Sequence, residues 1–136
     1  MLANPYQRYR QVTVETASIA ELIVLLYRRA VQLLTEAEEA IAAADVPRAH
    51  GCLVRAQEIV SELMASVNLD AGELAQQLWA IYDYLQRRLI EANVRKDAAI
   101  VREVREFLAT LLEAWEQVAA QERAASAAAV RLAATA

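Results

Sequence analysis

The chain has 136 residues, 57% of them apolar, and contains only two glycines and two prolines. At this length we expect one domain with its own hydrophobic core, and the scarcity of turn residues predicts long helices. The net charge is −4 with both signs interleaved, so no face is basic enough to predict nucleic-acid binding. The single cysteine, Cys52, leaves no disulfide framework within the chain and favours a reducing compartment.

The first residues lack the apolar core of a signal peptide, and no run of about 18 apolar residues follows. We therefore expect a cytoplasmic protein without membrane insertion. Residues 1–17 are polar, are interrupted by Asn4-Pro5, and carry Tyr6 and Tyr9 three positions apart. They are predicted to form an N-terminal arm whose aromatic side chains dock on a surface. A weakly ordered tail is the alternative.

Two helices are predicted after the arm. The first begins at Ser18, which forms a capping-box pattern with Glu21. Asp45 is expected to cap the second, which has Pro47 in its first turn and extends to about Val67. Additional apolar residues widen the stripe of the first helix toward its N-terminus. The predicted core stripes are Ile19, Ile23, Leu26, Ala30, Leu33, Ala37 and Ile41, then Ala49, Cys52, Ala56, Ile59, Leu63 and Val67.

Two further helices complete the pattern. Asp70 is expected to cap the third, which extends to Asn93, and Asp97 to cap the fourth, which extends to Gln121. Residues 122–136 are Ala-rich and are predicted to be a frayed helix or a disordered tail. The predicted core stripes are Leu74, Leu78, Ile81, Leu85, Leu89 and Ala92, then Val101, Val104, Leu108, Leu111, Trp115 and Val118.

Helices of similar length with short links predict an all-α fold, an antiparallel up-down-up-down four-helix bundle over residues 18–121. A helix in such a bundle needs about three core positions in seven. The third helix carries more, with Trp79 and Tyr82 beside its stripe and Asp83 and Arg87 at its border. This surface predicts a helix that also binds a second molecule. The alternative is that the aromatic side chains only cover seams between helices.

The sequence offers little for catalysis or cofactor binding. One His and one Cys are too few for a zinc site, which needs three or four ligands. No Glu-x-x-His repeat predicts a di-iron bundle, and two isolated glycines cannot form a phosphate-binding loop. We expect no metal, no cofactor and no enzymatic activity.

Several motifs resemble those of the flagellar secretion chaperone family, the export chaperones of flagellin. They occur in order over about residues 4–121, and the block that begins at Leu78 is the most specific. The chain departs from the family at two places. Ile19-Ala20 stand where the family commonly has Pro-Gly. Arg28-Arg29 replace an acidic residue and Gly, and this change bears on client choice. The matching segments are Asn4 to Tyr9, Thr16 to Ser18, Glu21 to Ile23, Leu26-Tyr27, Ala56-Gln57, Ile59-Val60, Glu62-Leu63, Leu78, Tyr82 to Tyr84, Arg87 to Leu89, and Glu91 to Asn93.

The resemblance implies a bundle without catalysis that binds the disordered C-terminal segment of newly made flagellin. Such binding would prevent premature polymerisation before type III flagellar secretion. The client complex is expected to contain one copy of the chain. The alternative is a structural bundle or adaptor that self-associates through the same apolar surface and has no flagellin client.

The expected site comprises a groove, its charged edge and the arm. Asp83, Arg87 and Arg88 are predicted at the groove edge. Tyr6 and Tyr9 are predicted to act as a lid over the groove or to contact the flagellar export gate. For every groove residue, ordinary core packing is the alternative. The predicted groove residues are Leu22, Ile23, Leu26, Tyr27, Leu53, Gln57, Val60, Met64, Leu78, Tyr82, Leu85 and Leu89.

Overall fold

The computed structural model describes residues 19–135, which contain four α-helices and no strand. The prediction of an all-α fold with four helices is confirmed. The predicted arm and the predicted cap Ser18 lie outside the described residues. The helices are α1 Ile19–Ala42, α2 Val46–Ser66, α3 Glu73–Arg95 and α4 Ala98–Thr135, with a 3₁₀ turn at Leu69–Ala71 between α2 and α3.

Two of the predicted helix caps are confirmed. Asp45 Oδ1 accepts a hydrogen bond of 3.2 Å from the Arg48 amide at the start of α2. Asp97 Oδ1 accepts one of 2.9 Å from the Ala99 amide at the start of α4. Each carboxylate satisfies an amide that has no partner within its own helix, which fixes where the helix begins.

The link between α2 and α3 differs from the prediction that Asp70 caps α3. Asn68 Oδ1 accepts a hydrogen bond of 3.1 Å from the Asp70 amide, which stabilises the 3₁₀ turn Leu69–Ala71. Gly72 follows with φ of 120°, a backbone conformation that residues with a side chain rarely adopt. α3 then begins at Glu73. Asp70 therefore belongs to the turn, because the Asn68 side chain engages its amide.

The chain divides into two compact units, each with its own packing. The larger unit comprises residues 27–109 and contains segments of all four helices. The described part of the smaller unit comprises residues 19–26 and 110–135. Its described part is the beginning of α1 and the C-terminal part of α4.

Adjacent helices of the larger unit are antiparallel. His50, near the start of α2, hydrogen-bonds Asn93 near the end of α3, whereas Ser61, late in α2, bonds Gln86 earlier in α3. A residue later in α2 therefore contacts a residue earlier in α3, which means that the two helices are antiparallel, as the sequence predicts. Further contacts that join adjacent helices are Glu39–Arg48 and Glu36–Cys52 between α1 and α2, and Arg88–Glu103 between α3 and α4.

The interior of the larger unit contains buried side chains from all four helices. Two predicted stripes each differ from the structure by a neighbouring residue at one position. α3 buries Tyr82 and leaves Ile81 half-buried, and α2 buries Val60 and leaves Ile59 half-buried. The largest fully buried side chains are Tyr27, Leu33, Leu34, Leu53, Val60, Leu63, Tyr82, Leu85, Leu89, Val101, Val104 and Leu108.

The smaller unit has a separate core of small side chains. Ala20 and Val24 of α1 pack with Ala119 of α4, and Leu112 and Trp115 cover this cluster. Alanine at the contact allows the two helix backbones to approach closely. An ion pair between Glu21 and Arg123, at 3.1 Å, continues the contact toward the beginning of α1.

Three predicted core residues are exposed instead. Ile19 is the first residue of α1 and is 69% exposed, and Leu74 lies in the first turn of α3 and is 81% exposed. Side chains at helix ends have fewer neighbours to cover them. Val118 is partly exposed because its neighbour Ala119 is the residue that faces α1.

α4 continues beyond its predicted end at Gln121 and is helical through Thr135. It has 38 residues, whereas the other three helices have 21 to 24, because the Ala-rich residues predicted as a frayed helix or a disordered tail continue the helix. Residues 120–135 are all exposed. Alanine has the highest helix propensity, and extending an existing helix avoids the nucleation cost, so the sequence favours this continuation.

Candidate functional site

Six of the twelve predicted groove residues are core residues in this structure. All six lie in the larger unit, and their side chains are at most 1% exposed. A side chain without accessible surface cannot contact a bound peptide unless the protein opens locally. The structure therefore places them in the ordinary core, which the sequence left as the alternative. These residues are Tyr27, Leu53, Val60, Tyr82, Leu85 and Leu89.

The other six predicted groove residues divide between the two units. In the smaller unit, Leu22 is buried, whereas Ile23 and Leu26 are half-buried. In the larger unit, Gln57 and Met64 of α2 and Leu78 of α3 are half-buried. These half-buried side chains retain surface that a partner could cover. Tyr6 and Tyr9 lie outside the described residues, so their predicted roles stay predictions.

Tyr27 and Tyr82 form a polar pair inside the larger unit. Their hydroxyl oxygens are 2.5 Å apart, and the ring centroids are 6.4 Å apart with the planes at 52°. Burial raises the pKa of the Tyr82 hydroxyl. A buried phenol needs a hydrogen-bond partner, and here each tyrosine serves the other. The pair thus fastens α1 to α3.

The core stripe of α3 emerges onto the surface toward the start of the helix. Leu74, Leu78 and Leu85 share one face because they are four and seven residues apart. Leu85 is buried, Leu78 is half-buried and Leu74 is 81% exposed. Leu74 and Leu78 are therefore directed like core residues, but nothing in the larger unit covers them fully.

Two more apolar residues lie at the same end of α2 and α3. The Gln76 side chain donates to the carbonyl oxygen of Leu69 at 3.5 Å, which places the exposed Leu69 beside α3. The antiparallel register places Met64, near the end of α2, opposite the first half of α3. We call these four residues the α2–α3 surface: Met64, Leu69, Leu74 and Leu78. Leu69 and Leu74 are exposed and Met64 and Leu78 are half-buried, so each keeps apolar surface that a partner could cover.

Gln86 holds α2 and α3 together next to this surface. Its Nε2 donates to the Gln57 carbonyl oxygen at 3.0 Å and to Ser61 Oγ at 2.7 Å. Its Oε1 is buried and has no hydrogen-bond partner among the described residues. Gln86 was not among the residues predicted from the sequence. Its position directly after Leu85 could have indicated this role, because a long amide side chain at the edge of the core stripe can reach a neighbouring helix.

The charged residues predicted at the groove edge are engaged with one another. Asp83 and Arg87 form an ion pair one turn apart on α3. The Arg87 side chain is largely exposed, so this pair contributes little stability. Arg87 keeps enough accessible surface to contact a charged partner.

Arg88 belongs to a network between α3 and α4. It makes hydrogen bonds of 2.7 Å to Glu91 and to Glu103, and the Tyr84 hydroxyl donates to Glu103 at 2.6 Å. The hydrogen bond from Arg88, then that from Tyr84, lowers the pKa of Glu103, and the bond to Glu103 raises the pKa of Arg88. Binding of a client carboxylate by Arg88 would have to compete with these bonds. Its main role in the free protein is to join α3 to α4.

Arg28 and Arg29 lie on the exposed side of α1. Arg29 Nη1 donates to Gln32 Oε1 at 3.0 Å on the same helix. The two arginines add positive charge to the surface of α1 and leave the core of the larger unit unchanged.

The only cysteine of the chain packs as a buried residue. Cys52 Sγ lies 3.6 Å from Glu36 Oε2, and burial, followed by this hydrogen bond, raises the pKa of the thiol. A protonated thiol is a poor metal ligand and a poor nucleophile. Across residues 19–135, no group of three or more His, Cys, Asp or Glu is placed to hold a metal ion, and no helix has the length and apolar character of a membrane span.

The sequence matches a known protein family along most of its length. Residues 2–122 match the family described as flagellar protein FliS. This is a family of chaperones and not of enzymes.

Curated relatives extend along nearly the whole chain. The flagellar secretion chaperone FliS of Bacillus subtilis strain 168 is 35% identical over 122 residues, covering 90% of this chain and 91% of the relative. The protein of the same name from Salmonella typhimurium is 34% identical, covering 85% of this chain and 90% of the relative. That of Vibrio cholerae is 25% identical, with coverages of 82% and 86%. On these matches, the chain belongs to the flagellar protein FliS family.

Proposed function

We propose that this chain is a cytoplasmic secretion chaperone whose client is flagellin. Family membership and relatives named flagellar secretion chaperones support the general role. The chain binds the disordered C-terminal segment of flagellin in a complex with one copy of each. It thereby prevents flagellin from polymerising before type III flagellar secretion, because a covered segment cannot associate with its own kind.

The observation that carries the proposal is the decline of burial along α3. Leu85, Leu78 and Leu74 point to one face, and they become more exposed toward the start of the helix. An amphipathic client segment that lays its apolar residues on Leu74 and Leu78 would continue the core packing of this stripe. Helix-in-groove binding of this kind uses apolar anchors at spacings of three and four residues.

Client binding is proposed to use more than the α2–α3 surface. A segment that folds on binding typically buries on the order of 1,000–3,000 Å², more than four side chains provide. Ile23 and Leu26 on α1, which are half-buried in the smaller unit, are proposed as client contacts separate from that surface. A segment held at several shallow contacts needs no deep cavity.

The exposed charges later on α3 are proposed to guide client orientation. Arg87 is largely exposed, and its partner Asp83 lies one turn before it. A client residue of either sign can replace one member of this exposed pair at small cost, because such pairs contribute less than about 1 kcal/mol. Arg88 is expected to stay in its network with Glu103.

Co-purification with the organism's own flagellin tests the proposal. Wild-type chaperone should retain full-length flagellin and lose it when the last segment of flagellin is deleted. The double variant Met64→Ser/Leu74→Ser should lose retention. The control Ile90→Ser/Val94→Ser, which changes two exposed residues later on α3, should keep it. Equal retention of truncated flagellin would overturn the choice of client segment. Equal loss in both double variants would overturn the choice of surface.

A further inference from the structure

The carbonyl oxygen of the Gln86 side chain is buried and has no hydrogen-bond partner among the described residues. The nitrogen of the same carboxamide donates to the Gln57 carbonyl oxygen at 3.0 Å and to Ser61 Oγ at 2.7 Å. A backbone carbonyl can only accept, so the nitrogen must face Gln57 and Oε1 must face away from it. Buried acceptors without a donor are rare in native proteins, so this oxygen requires a physical explanation.

The contacts that hold Gln86 can be released without leaving a new unsatisfied group on α2. Within the helix, the Gln57 carbonyl already accepts from the Ser61 amide four residues later. The Ser61 hydroxyl can donate to that same carbonyl, as serine does in helices. The terminal torsion of a glutamine side chain is broad, and Gln86 as a whole is half-buried. Its carboxamide can therefore turn outward and offer both an acceptor and N–H donors to a second molecule.

Gln86 lies next to the α2–α3 surface, at a fixed distance from its apolar residues. It follows Leu78 by eight residues, which is about 12 Å along α3. Its partner Ser61 precedes Met64 by three residues, close to one turn of α2. The half-buried Trp79 shares the face of Gln86, seven residues before it. An apolar segment that lies along this surface therefore meets a carboxamide at one defined position.

The chemistry of Gln86 selects the residue that faces it. Another carboxamide is the best match, because it offers an N–H donor beside an acceptor. A leucine at this place would leave Oε1 unsatisfied, and a carboxylate would accept the N–H but leave Oε1 without a donor. One amide within an apolar interface also fixes register, as a buried asparagine does in coiled coils.

We propose that Gln86 hydrogen-bonds one asparagine or glutamine of the bound client and sets the register of the client segment on the α2–α3 surface. This inference rests on the flagellin-binding role proposed above. In a helical client segment, the amide residue lies about eight positions from the residue that packs on Leu78. The orphaned Oε1 of the free protein then gains its donor from the client.

Peptide titration of Gln86→Met tests the inference. Methionine has a similar length and helix propensity but lacks the N–H donors and the carbonyl oxygen. Flagellin C-terminal peptides, with each asparagine and glutamine replaced by leucine in turn, are titrated calorimetrically against both proteins. One replacement should weaken binding to the wild type about tenfold and leave binding to Gln86→Met unchanged or tighter. The control Gln77→Met, which changes a glutamine that bonds Glu73 on α3, should respond like the wild type.

The outcomes separate this inference from the proposed function. Replacements that affect the wild type and Gln86→Met equally at every position would overturn the role of Gln86 and leave the client assignment in place. A wild-type chain that does not bind the unsubstituted peptide would overturn the proposed function, and the inference with it.

Side-chain amide NMR gives a readout that needs no variant. The Nε2–H resonances of Gln86 in the wild type should shift when the unsubstituted peptide binds, because the carboxamide changes partners. Those of Gln77 should stay in place. Gln86 resonances that do not move in the peptide complex would overturn the inference.

Discussion

Truncation of two leucines on the same face of α3 separates core from binding surface. Leu85→Ala removes a fully buried side chain, and Leu74→Ala removes one that is 81% exposed. Both substitutions keep a strong helix former, so helix propensity changes little. We expect Leu85→Ala to reduce stability and Leu74→Ala to reduce client affinity.

The exposed fractions set the magnitudes. Leu85→Ala should cost about 3 kcal/mol of unfolding free energy, within the usual 2–5 kcal/mol for a buried leucine. Leu→Ala removes three carbons, worth about 2.4 kcal/mol when fully buried. Because Leu74 is only one-fifth covered, its truncation should cost about 0.5 kcal/mol of stability. If the client covers the exposed part of the Leu74 side chain, Leu74→Ala should reduce the binding free energy by about 2 kcal/mol, which is about 25-fold in Kd.

Urea unfolding followed by circular dichroism measures the loss of stability. Calorimetric titration with a flagellin C-terminal peptide measures the loss of client affinity. Val94→Ala is the matched control, because Val94 is as exposed as Leu74 and lies near the other end of α3. A folded Leu74→Ala that binds the peptide like wild type would refute the role of the α2–α3 surface. So would an equal loss of affinity in Val94→Ala.

Three further predictions concern the polar contacts. A double-mutant cycle of Tyr27→Phe and Tyr82→Phe should give a coupling energy of about 1 kcal/mol in unfolding experiments, and a value near zero would show that the 2.5 Å contact contributes nothing. The pKa of Glu103 is lowered below its ordinary value of 4.5, so its stabilising contribution is present above pH 4.5 and is lost as the pH falls through the lowered value. Glu103→Gln should therefore be less stable than wild type at about pH 7, and the difference should shrink as the pH falls through the lowered pKa in urea titrations. A difference in stability that does not change with pH would contradict this cause. Asp97→Ala should lose about 1 kcal/mol from the cap of α4, and Asp97→Asn should recover most of it; equal losses would exclude capping by the side chain.

The sequence predicted the helices well because hydrophobic spacing and caps act locally. Asp45 and Asp97 each engage an amide two or three residues away, so the starts of α2 and α4 could be read from the sequence. The cap at Asp70 failed because Asn68, two residues earlier, engages the amide of Asp70 in a competing turn. The sequence left residues 122–136 open between a frayed helix and a disordered tail, because alanine favours helix but gives no amphipathic pattern.

The candidate site was predicted less well, because exposure depends on which elements cover a residue. From its position beside the core stripe, Tyr82 was predicted to line the groove. Its hydroxyl instead hydrogen-bonds the Tyr27 hydroxyl, which allows both side chains to be buried. Leu74 has the spacing of a core residue, yet it is exposed at the start of α3. Arg88 could be placed at the edge of α3 from its spacing, but its partner Glu103 lies on another helix, which spacing within α3 cannot reveal.

The mass of the purified chain in solution, with and without a flagellin C-terminal peptide, tests the central claim most directly. Light scattering should show a 15.1 kDa protein whose mass rises by one peptide when the peptide is added. A stable homo-oligomer whose mass does not respond to the peptide would contradict the account. It would mean that the exposed apolar residues of α3 serve self-association and not a flagellin client.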